Sequence, residues 1–192
     1  MTSPARVLRG LLVVALCAAI VALVQIRPTG ADKGGPLTRH GELGAQLRGE
    51  TLHALAHRDR TARTIAVAAG DEYRATDGVL LVVPVTVTAV EHSLIVDAAL
   101  LTADGSRYRP VEVPDQLTAD VTLHPGIPMS GAVVFQVPRD RLAGAALVLL
   151  EAANTPVPAH EELRIDLDVD AAGARRMLAT DGPAEVPQVS PA

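Results

Sequence analysis

The acidic residues near the end of the chain have a spacing that suggests metal chemistry. Asp166, Asp168 and Asp170 form D-x-D-x-D, the opening of a calcium-binding loop. The remaining positions do not fit, because Ala171 replaces the required glycine and Met177 replaces the acidic twelfth ligand. On a strand, the three carboxylates would share one solvated face at a spacing of about 6.5–7 Å, with weak cation binding as the alternative. We therefore predict no metal ligands, and treat the three aspartates as a candidate interaction surface.

Histidine and serine residues are the candidate metal ligands and nucleophiles of the chain. His53 and His57 would share one face of a helix, but HALAH lacks the glutamate of the zinc motif H-E-x-x-H and a third ligand. Residues 160–162 (HEE) are interpreted as a polar loop. The G-x-S-x-G nucleophile motif is absent around three serines that occur in turn and strand-entry contexts, Ser93, Ser106 and Ser130. The sequence therefore predicts no catalytic residue, no cofactor and no enzymatic activity.

Composition argues against nucleic-acid and sugar recognition. The chain has 192 residues, a net charge of −5 and 2% aromatic residues, with no tryptophan. Nucleic-acid binders normally carry a basic patch, and both base and sugar recognition use aromatic faces for stacking. Valine, leucine and alanine provide instead an aliphatic core of modest size. We predict no nucleic-acid partner.

An apolar run near the N-terminus predicts a membrane anchor. Residues 10–26 are apolar except Gln25 and lie between Arg9 and Arg27, which is close to the length that spans a bilayer. The preceding basic residues predict a cytoplasmic segment at 1–9 and an extracytoplasmic remainder, with the lipid bilayer as partner of residues 10–26. A cleaved signal peptide is the alternative. Cys17, the only cysteine, lies inside this run and lacks a lipoprotein acylation context.

Two further segments are predicted to lie outside the folded domain. Residues 27–60 begin with a glycine- and proline-rich stretch and are interpreted as a stalk and linker. A short helix is one alternative for their second half, and a strand at Leu52–Ala56 is the other. Residues 171–192 lack periodicity and are predicted to be a disordered tail, with a short helix near residues 175–179 as the alternative.

The segment 78–89 (GVLLVVPVTVTA) predicts the longest strand of the domain. Its odd-numbered residues from 79 to 87 are all valine or leucine, which fits a strand with one face in a core. Pro84 argues against a helix, since an interior proline costs about 3 kcal/mol. The same residue predicts an edge strand, a bulge or a position where the missing N–H would go unpaired.

Several shorter strands surround this one in the sequence. Residues 64–69, 94–102, 131–137 and 145–150 are apolar, and residues 163–169 alternate between apolar and charged types. Asp104-Gly105 predicts a hairpin with a type I′ turn. About seven short strands with frequent turn signals are typical of a sandwich, so we predict an all-β, immunoglobulin-like β-sandwich at residues 61–170, preceded by one transmembrane helix.

A resemblance to a known family rests on three of these stretches. They are the long apolar strand at 78–89, the strand and Asp-Gly hairpin at 100–108, and G-x-V-V-F-x-V-P at 131–138. Together they resemble the immunoglobulin-like domain of unknown function found in bacterial lipoproteins and anchored extracytoplasmic proteins, related in fold to telokin and to a secreted mycobacterial antigen. The resemblance implies a β-sandwich outside the cytoplasm and supplies no catalytic residues. Composition suggests an actinobacterial, membrane-anchored type.

These observations predict a protein-interaction or accessory module of the cell envelope. The predicted localisation of the protein is the cell membrane, where it would be a single-pass protein with an extracytoplasmic C-terminal domain. The expected partner is another envelope or membrane protein. Candidate surfaces are a sheet edge near Pro84, the loop 112–119 with Glu112 and Asp115, and the acidic face at Asp166, Asp168 and Asp170. The alternative function is a secreted or anchored module that binds a small ligand or a cation.

Overall fold

The computed structural model describes residues 37–58, 61–63, 65–68, 71–75, 77–152, 161–180 and 183–192. These residues form one α-helix, α1 (Ala171–Ala179), a 3₁₀ turn (Arg139–Arg141), and short to medium β-strands. In chain order the strands are β1 (Leu37–Glu42), β2 (Leu47–Arg48), β3 (Leu52–Ala56), β4 (Thr61–Arg63), β5 (Ile65–Ala68), β6 (Asp71–Arg74), β7 (Val79–Ala89), β8 (Leu94–Leu101), β9 (Arg107–Tyr108), β10 (Thr122–Leu123), β11 (Met129–Val137), β12 (Ala146–Glu151), β13 (Glu161–Asp166), β14 (Ala184–Glu185) and β15 (Ser190–Pro191).

Two large sheets and one small sheet contain these strands. Sheet A has the order β1-β13-β12-β8-β10, with β9 also paired to β8, and only β1 and β13 are parallel in it. Sheet B has the order β15-β11-β7-β3-β2, with β4 also paired to β7. The small sheet has the order β14-β5-β6. The predicted all-β sandwich is therefore confirmed at the level of two large sheets with a shared core.

Strand β7 supplies the centre of sheet B and much of the core. Its inward side chains, Val79, Leu81, Val83, Val85 and Val87, are at most 1% exposed. They belong to one apolar cluster with residues of β8, β12 and β13 from sheet A. Each fully buried valine or leucine contributes about 1.5–3 kcal/mol relative to an exposed one. The predicted inward face of this strand is confirmed.

The outward face of β7 is only partly solvated, contrary to the simple alternation expected for it. Leu80 and Val82 are 2% and 1% exposed. They lie in a second apolar cluster with Val113, Ala184 and Val186. The physical reason is that the β9–β10 connection and the C-terminal segment fold back over sheet B, so that one half of its outer face becomes a second core.

Pro84 occupies an interior strand, so the prediction of a sheet edge near it is wrong. It pairs with Ala132 of β11 on one side, and its carbonyl oxygen accepts a hydrogen bond from His57 N at 2.9 Å on the other. Here the partner of β7 changes from β3, which ends opposite Val85, to β4, which begins opposite Val82. Pro84 lies between the β3–β7 and β4–β7 pairings, so its missing N–H breaks neither of them. The structure therefore matches the third alternative for Pro84, a position where the N–H would go unpaired.

The predicted linker at 27–60 is wrong for its described part. Residues 37–42, 47–48 and 52–56 are β1, β2 and β3, and β1 joins sheet A while β2 and β3 join sheet B. The strand alternative for Leu52–Ala56 is confirmed. Glycines occupy the turns between these strands: Gly44 N bonds Ala56 O and Gly49 N bonds Leu52 O, each at 2.9 Å. Such short strands leave too little alternation to be recognised in the sequence.

The predicted disordered tail at 171–192 is also wrong, although the short helix predicted near residues 175–179 is present as the second half of α1. Helix α1 begins after Asp170, whose side chain accepts a hydrogen bond from Gly173 N as an N-cap. Beyond the helix, β14 pairs in parallel with β5, and β15 pairs with the start of β11. Ala184 and Val186 are buried. Tertiary packing orders this segment, although its own sequence has no periodic pattern.

The predicted hairpin at Asp104-Gly105 is present with a different turn. Of these two residues only Gly105 has a positive φ, of 85°, so the turn is not type I′. Gly105 N bonds Thr102 O at 2.9 Å, and Thr102 N bonds Ser106 O at 3.0 Å. This pattern is typical of three-residue hairpin loops with glycine in the left-handed position.

The predicted membrane anchor at 10–26 lies outside the described residues, as do the cytoplasmic segment at 1–9 and the start of the stalk. In the described ranges, no helix is long and apolar enough to cross a bilayer. The described residues all belong to one compact unit, Pro36–Ala192.

Candidate functional site

The connection between β9 and β10 is bound to the edge of β11 that faces away from β7. Val111 N donates to Val134 O at 2.9 Å, and Leu117 N donates to Ala132 O at 3.0 Å. The Gln116 side chain is buried between them: Nε2 donates to Val111 O at 2.5 Å, and Oε1 accepts from Val134 N at 3.3 Å. Residues 111–117 therefore form a rigid extension of sheet B.

Two aspartates of this connection adopt left-handed backbone conformations. Asp115 has φ 59° and Asp120 has φ 55°. Aspartate tolerates this region better than most residues because its short side chain can bond locally. These sharp turns leave Asp115 and Asp120 exposed, while Gln116 and Leu117 between them are buried. The sequence predicted a surface loop here, but gave no sign of its buried anchor.

A groove of about 570 Å³ lies beside this connection and is called the loop groove below. Its apolar lining comes from Tyr73, Val113, Pro114 and Ala119, and its two carboxylates come from Glu112 and Asp120. The predicted surface residue Glu112 therefore lines the groove, and Asp115 lies in the same connection outside the lining.

Thr118 adds an unusual polar group to the groove. Its Oγ1 atom is buried and has no hydrogen-bond partner among the described residues. The residue also lines the loop groove. An unpaired buried hydroxyl costs about 1–3 kcal/mol, so such atoms are uncommon in native structures.

The three aspartates of D-x-D-x-D do not share the face of one strand, so that prediction is wrong. Asp166 is the last residue of β13, and its Oδ1 atom accepts a hydrogen bond from Asp168 N at 2.8 Å. Asp168 has φ 50°, and Asp170 caps α1. Strand β13 ends early because the chain turns here to enter the helix. Two of these three carboxylates bond nearby backbone N–H groups.

Asp166 and Asp168 line a second, smaller cleft. The cleft measures about 320 Å³, and Glu42 and Arg58 also line it. Parallel pairing of β1 with β13 places Glu42 beside Asp166. Arg58 and Asp168 both have interaction partners in the protein. No group of three metal-ligating side chains occurs in the part of the chain that the structure describes.

His53 and His57 lie on strand β3 and just after it, not on a helix. Four residues along a strand separate them by about 13 Å, too far to share one metal ion. His57 Nε2 lies 2.9 Å from Thr86 Oγ1, which lies 2.7 Å from Ser130 Oγ. These three side chains form a hydrogen-bonded row across β3, β7 and β11 on the outer face of sheet B. The hydroxyl that His57 contacts is therefore that of Thr86 and not that of Ser130.

Two buried glutamates were missed by sequence reasoning, which interpreted residues 160–162 as a polar loop. Glu161 and Glu162 begin β13, and their side chains are 6% and 7% exposed. Glu161 pairs with Arg39 and accepts a hydrogen bond from Glu50 N at 2.6 Å. The hydrogen bond to Glu161, followed by its charge, raises the pKa of Arg39 above its usual value.

Glu162 points to the opposite face of β13 and has its own partner. Arg107 Nη2 donates to Glu162 Oε1 and Oε2 at 3.1 Å and 2.9 Å. Glu161 therefore joins β13 to β1 and to the backbone of Glu50, and Glu162 joins β13 to β9 within sheet A. The only signal in the sequence was their position directly before the alternating stretch at 163–169, which extends to them in the structure.

Asp104 is the described carboxylate with a strongly shifted pKa. Hydrogen bonds from the Thr102 hydroxyl and from Ser106 N lower its pKa from 3.8 to about 2. Arg141 also pairs with it. Its position in a hairpin turn gives this carboxylate a structural role.

Comparisons with known proteins find distant similarity among solved structures. No protein-family model matches the sequence, and no curated protein matches it significantly. Among solved structures, it is similar to an uncharacterized β-sandwich protein of Clostridium difficile, at 9% identity and a TM-score of 0.43, covering 69% of this chain and 97% of that one. It is also similar to the secreted protein MPT63 of Mycobacterium tuberculosis, at 23% identity and a TM-score of 0.46, covering 69% and 98%.

A third similar structure is the yjhA protein of Bacillus subtilis, at 14% identity and a TM-score of 0.45, covering 66% of this chain and 99% of that one. Similarities at this level carry no argument about function. The fold class thus rests on the two packed sheets of this chain. The membrane-anchored actinobacterial type remains a prediction.

Proposed function

We propose that this protein is a membrane-anchored, immunoglobulin-like β-sandwich that is displayed outside the cytoplasmic membrane and binds another protein of the cell envelope. The proposed binding surface is the loop groove. One observation carries the proposal: the loop groove is an open and partly apolar depression. It lies on a connection that side-chain hydrogen bonds of Gln116 fix to β11. A surface that is already ordered loses little conformational entropy on binding.

A binding role is also supported by the structural contacts of the charged groups that are buried or have shifted pKa values. Arg39 and Asp104, the described groups with shifted pKa values, have structural hydrogen-bond partners. The buried carboxylates of Glu161 and Glu162 pair with arginines. These groups stabilise the sandwich, and we therefore propose a non-enzymatic function.

The proposed location is supported by the apolar run at 10–26 between Arg9 and Arg27. It can be tested with Ile127→Cys in a Cys17→Ser background, because Ile127 is 46% exposed and Cys17 is the only native cysteine. A membrane-impermeant maleimide should label this variant in intact cells. Labelling that requires lysis would contradict an extracytoplasmic domain.

The groove itself is tested by filling it. Ala119 is exposed and lines the groove, so Ala119→Trp should block a bound partner without disturbing the core. Ala103→Trp, at an exposed residue of the hairpin loop, is the matched control. After crosslinking in intact cells, affinity purification should recover one reproducible membrane partner with the wild type and the control, but not with Ala119→Trp.

Equal recovery with both tryptophan variants would contradict the groove as the binding surface. If no partner is recovered, and calcium chloride raises the thermal unfolding midpoint of the purified protein, the alternative function in cation binding replaces this proposal.

A further inference from the structure

Building on the proposed function, we propose that the loop groove binds an extended segment of its partner that carries lysine or arginine together with an apolar side chain. The juxtaposition that carries this inference is an apolar floor between two exposed carboxylates, Glu112 and Asp120.

The charges around the groove favour a cationic ligand. Glu112 and Asp120 are exposed and line the groove, and the exposed Asp115 lies in the same connection. Its described lining contains two acidic and no basic residues. The whole chain carries a net charge of −5. Such a surface attracts basic segments and repels nucleic acids and anionic lipid headgroups, so charge complementarity selects a protein segment with basic side chains.

The floor of the groove adds a requirement for apolar contact. Val113 is 2% exposed and is anchored in the second apolar cluster, while Pro114 and Ala119 stand beside it in the lining. An apolar side chain placed over this floor would remove further surface from water. Tyr73 adds a larger side chain to this apolar lining, so the groove suits an apolar residue between two basic ones.

The two carboxylates of the groove favour a ligand that brings hydrogen-bond donors. Glu112 and Asp120 line the groove, and ionised carboxylates only accept hydrogen bonds. Lysine and arginine side chains are donors without acceptors, and a peptide backbone N–H is also a donor. A basic segment therefore matches the groove in charge, in apolar contact and in hydrogen bonding.

Binding of model peptides to the full-length protein in nanodiscs tests this inference. The probe is a short fluorescein-labelled peptide of alternating lysine and alanine, and the matched probe carries glutamate in place of lysine. Fluorescence anisotropy should show binding of the lysine peptide only. Raising the salt concentration from about 0.1 M to about 1 M shortens the Debye length from about 10 Å to about 3 Å, and should weaken that binding.

Charge-neutral variants locate the binding site. Glu112→Gln combined with Asp120→Asn should weaken binding of the lysine peptide about tenfold, since two exposed ion pairs with the peptide are lost. Asparagine tolerates the left-handed backbone of Asp120, so the fold should persist. Glu91→Gln combined with Asp140→Asn removes the same charge from exposed positions elsewhere and should bind as the wild type does.

Three outcomes would overturn the inference: no binding of the lysine peptide to the wild type, equal binding of the glutamate peptide, or unchanged binding by the Glu112 and Asp120 double variant. The outcome for the proposed function is separate. If Ala119→Trp abolishes capture of the cellular partner while the charge-neutral double variant retains it, the groove is a binding surface for a partner that is not basic.

Discussion

The side chain of Gln116 accepts a hydrogen bond from the backbone N–H of Val134, with 3.3 Å between Oε1 and N. Its amide nitrogen donates to Val111 O at 2.5 Å. One side chain, only 4% exposed as a residue, thus joins the β9–β10 connection to the edge of β11. The shape of the loop groove depends on this contact.

Replacing Gln116 by alanine should destabilise the protein by about 1–3 kcal/mol, because two buried backbone groups would lose a partner. The free energy of unfolding, measured by urea denaturation, checks this value. Gln136→Ala is the control, since Gln136 Nε2 bonds Asp77 O in an exposed position. Equal losses for the two variants would show that Gln116 is not the buried anchor described here.

Glu161 should be a second strong determinant of stability. Glu161→Ala removes a charged acceptor from Glu50 N and from Arg39, and should cost about 2 kcal/mol in the free energy of unfolding. Glu50→Ala removes a 76% exposed carboxylate that pairs with the same arginine at 3.3 Å, and should cost less than about 1 kcal/mol. If the Glu50 variant loses as much stability as the Glu161 variant, burial of Glu161 does not have the assigned role.

Sequence reasoning succeeded where one face of a strand is buried along its whole length. Strand β7 was predicted at nearly its observed bounds, because its valines and leucines recur with period two over many residues. It failed for β1 and β2, where glycine turns interrupt the strands, and it left β3 open between a helix and a strand. It also failed for Glu161 and Glu162, since no local pattern shows that arginines distant in the chain will cover them.

Gly78 should tolerate alanine poorly for a steric reason. It has φ 92°, and an added Cβ atom would overlap the carbonyl oxygen of Val137 on the neighbouring strand. Gly105 has a similar φ of 85°, but an added Cβ atom there meets nothing within 4 Å. Gly105→Ala should cost about 1 kcal/mol from backbone strain alone, and Gly78→Ala about 3 kcal/mol or more. Urea denaturation of both variants measures the difference, and equal costs would contradict the close approach at Gly78.

Acid stability should depend on Asp104. Its pKa is about 2 in the folded protein and 3.8 ordinarily, so its ionised form stabilises the fold above pH 3.8. That contribution is lost as the pH falls from about 4 to about 2. Asp104→Asn should therefore have a lower unfolding midpoint at pH 6, and the difference from the wild type should shrink across this window.

Thermal denaturation at several pH values makes that comparison. Asp140→Asn is a suitable control, because the Asp140 side chain is 80% exposed. A constant difference between the Asp104 variant and the wild type from pH 6 to pH 2 would be inconsistent with the lowered pKa.

The candidate site could be predicted only in part from the sequence. The acidic loop at 112–119 was identified as a surface, but the apolar floor depends on Tyr73 from β6 and on a connection folded over sheet B. Such contacts join segments about forty residues apart, and no spacing along the chain encodes them. The acidic triplet at 166–170 was predicted to share one strand face from its spacing alone. In the structure, the turn into α1 separates the three aspartates.

The most direct test of the central claim is photo-crosslinking from the groove in living cells. A photo-reactive phenylalanine derivative at Ala119 should form an adduct with one envelope protein, whereas the same residue at Ala103 should not. Binding through the loop groove predicts that the adduct disappears when Gln116 is replaced by alanine and the connection loses its anchor. Identical adducts from Ala119 and Ala103, or none from Ala119, would contradict the account.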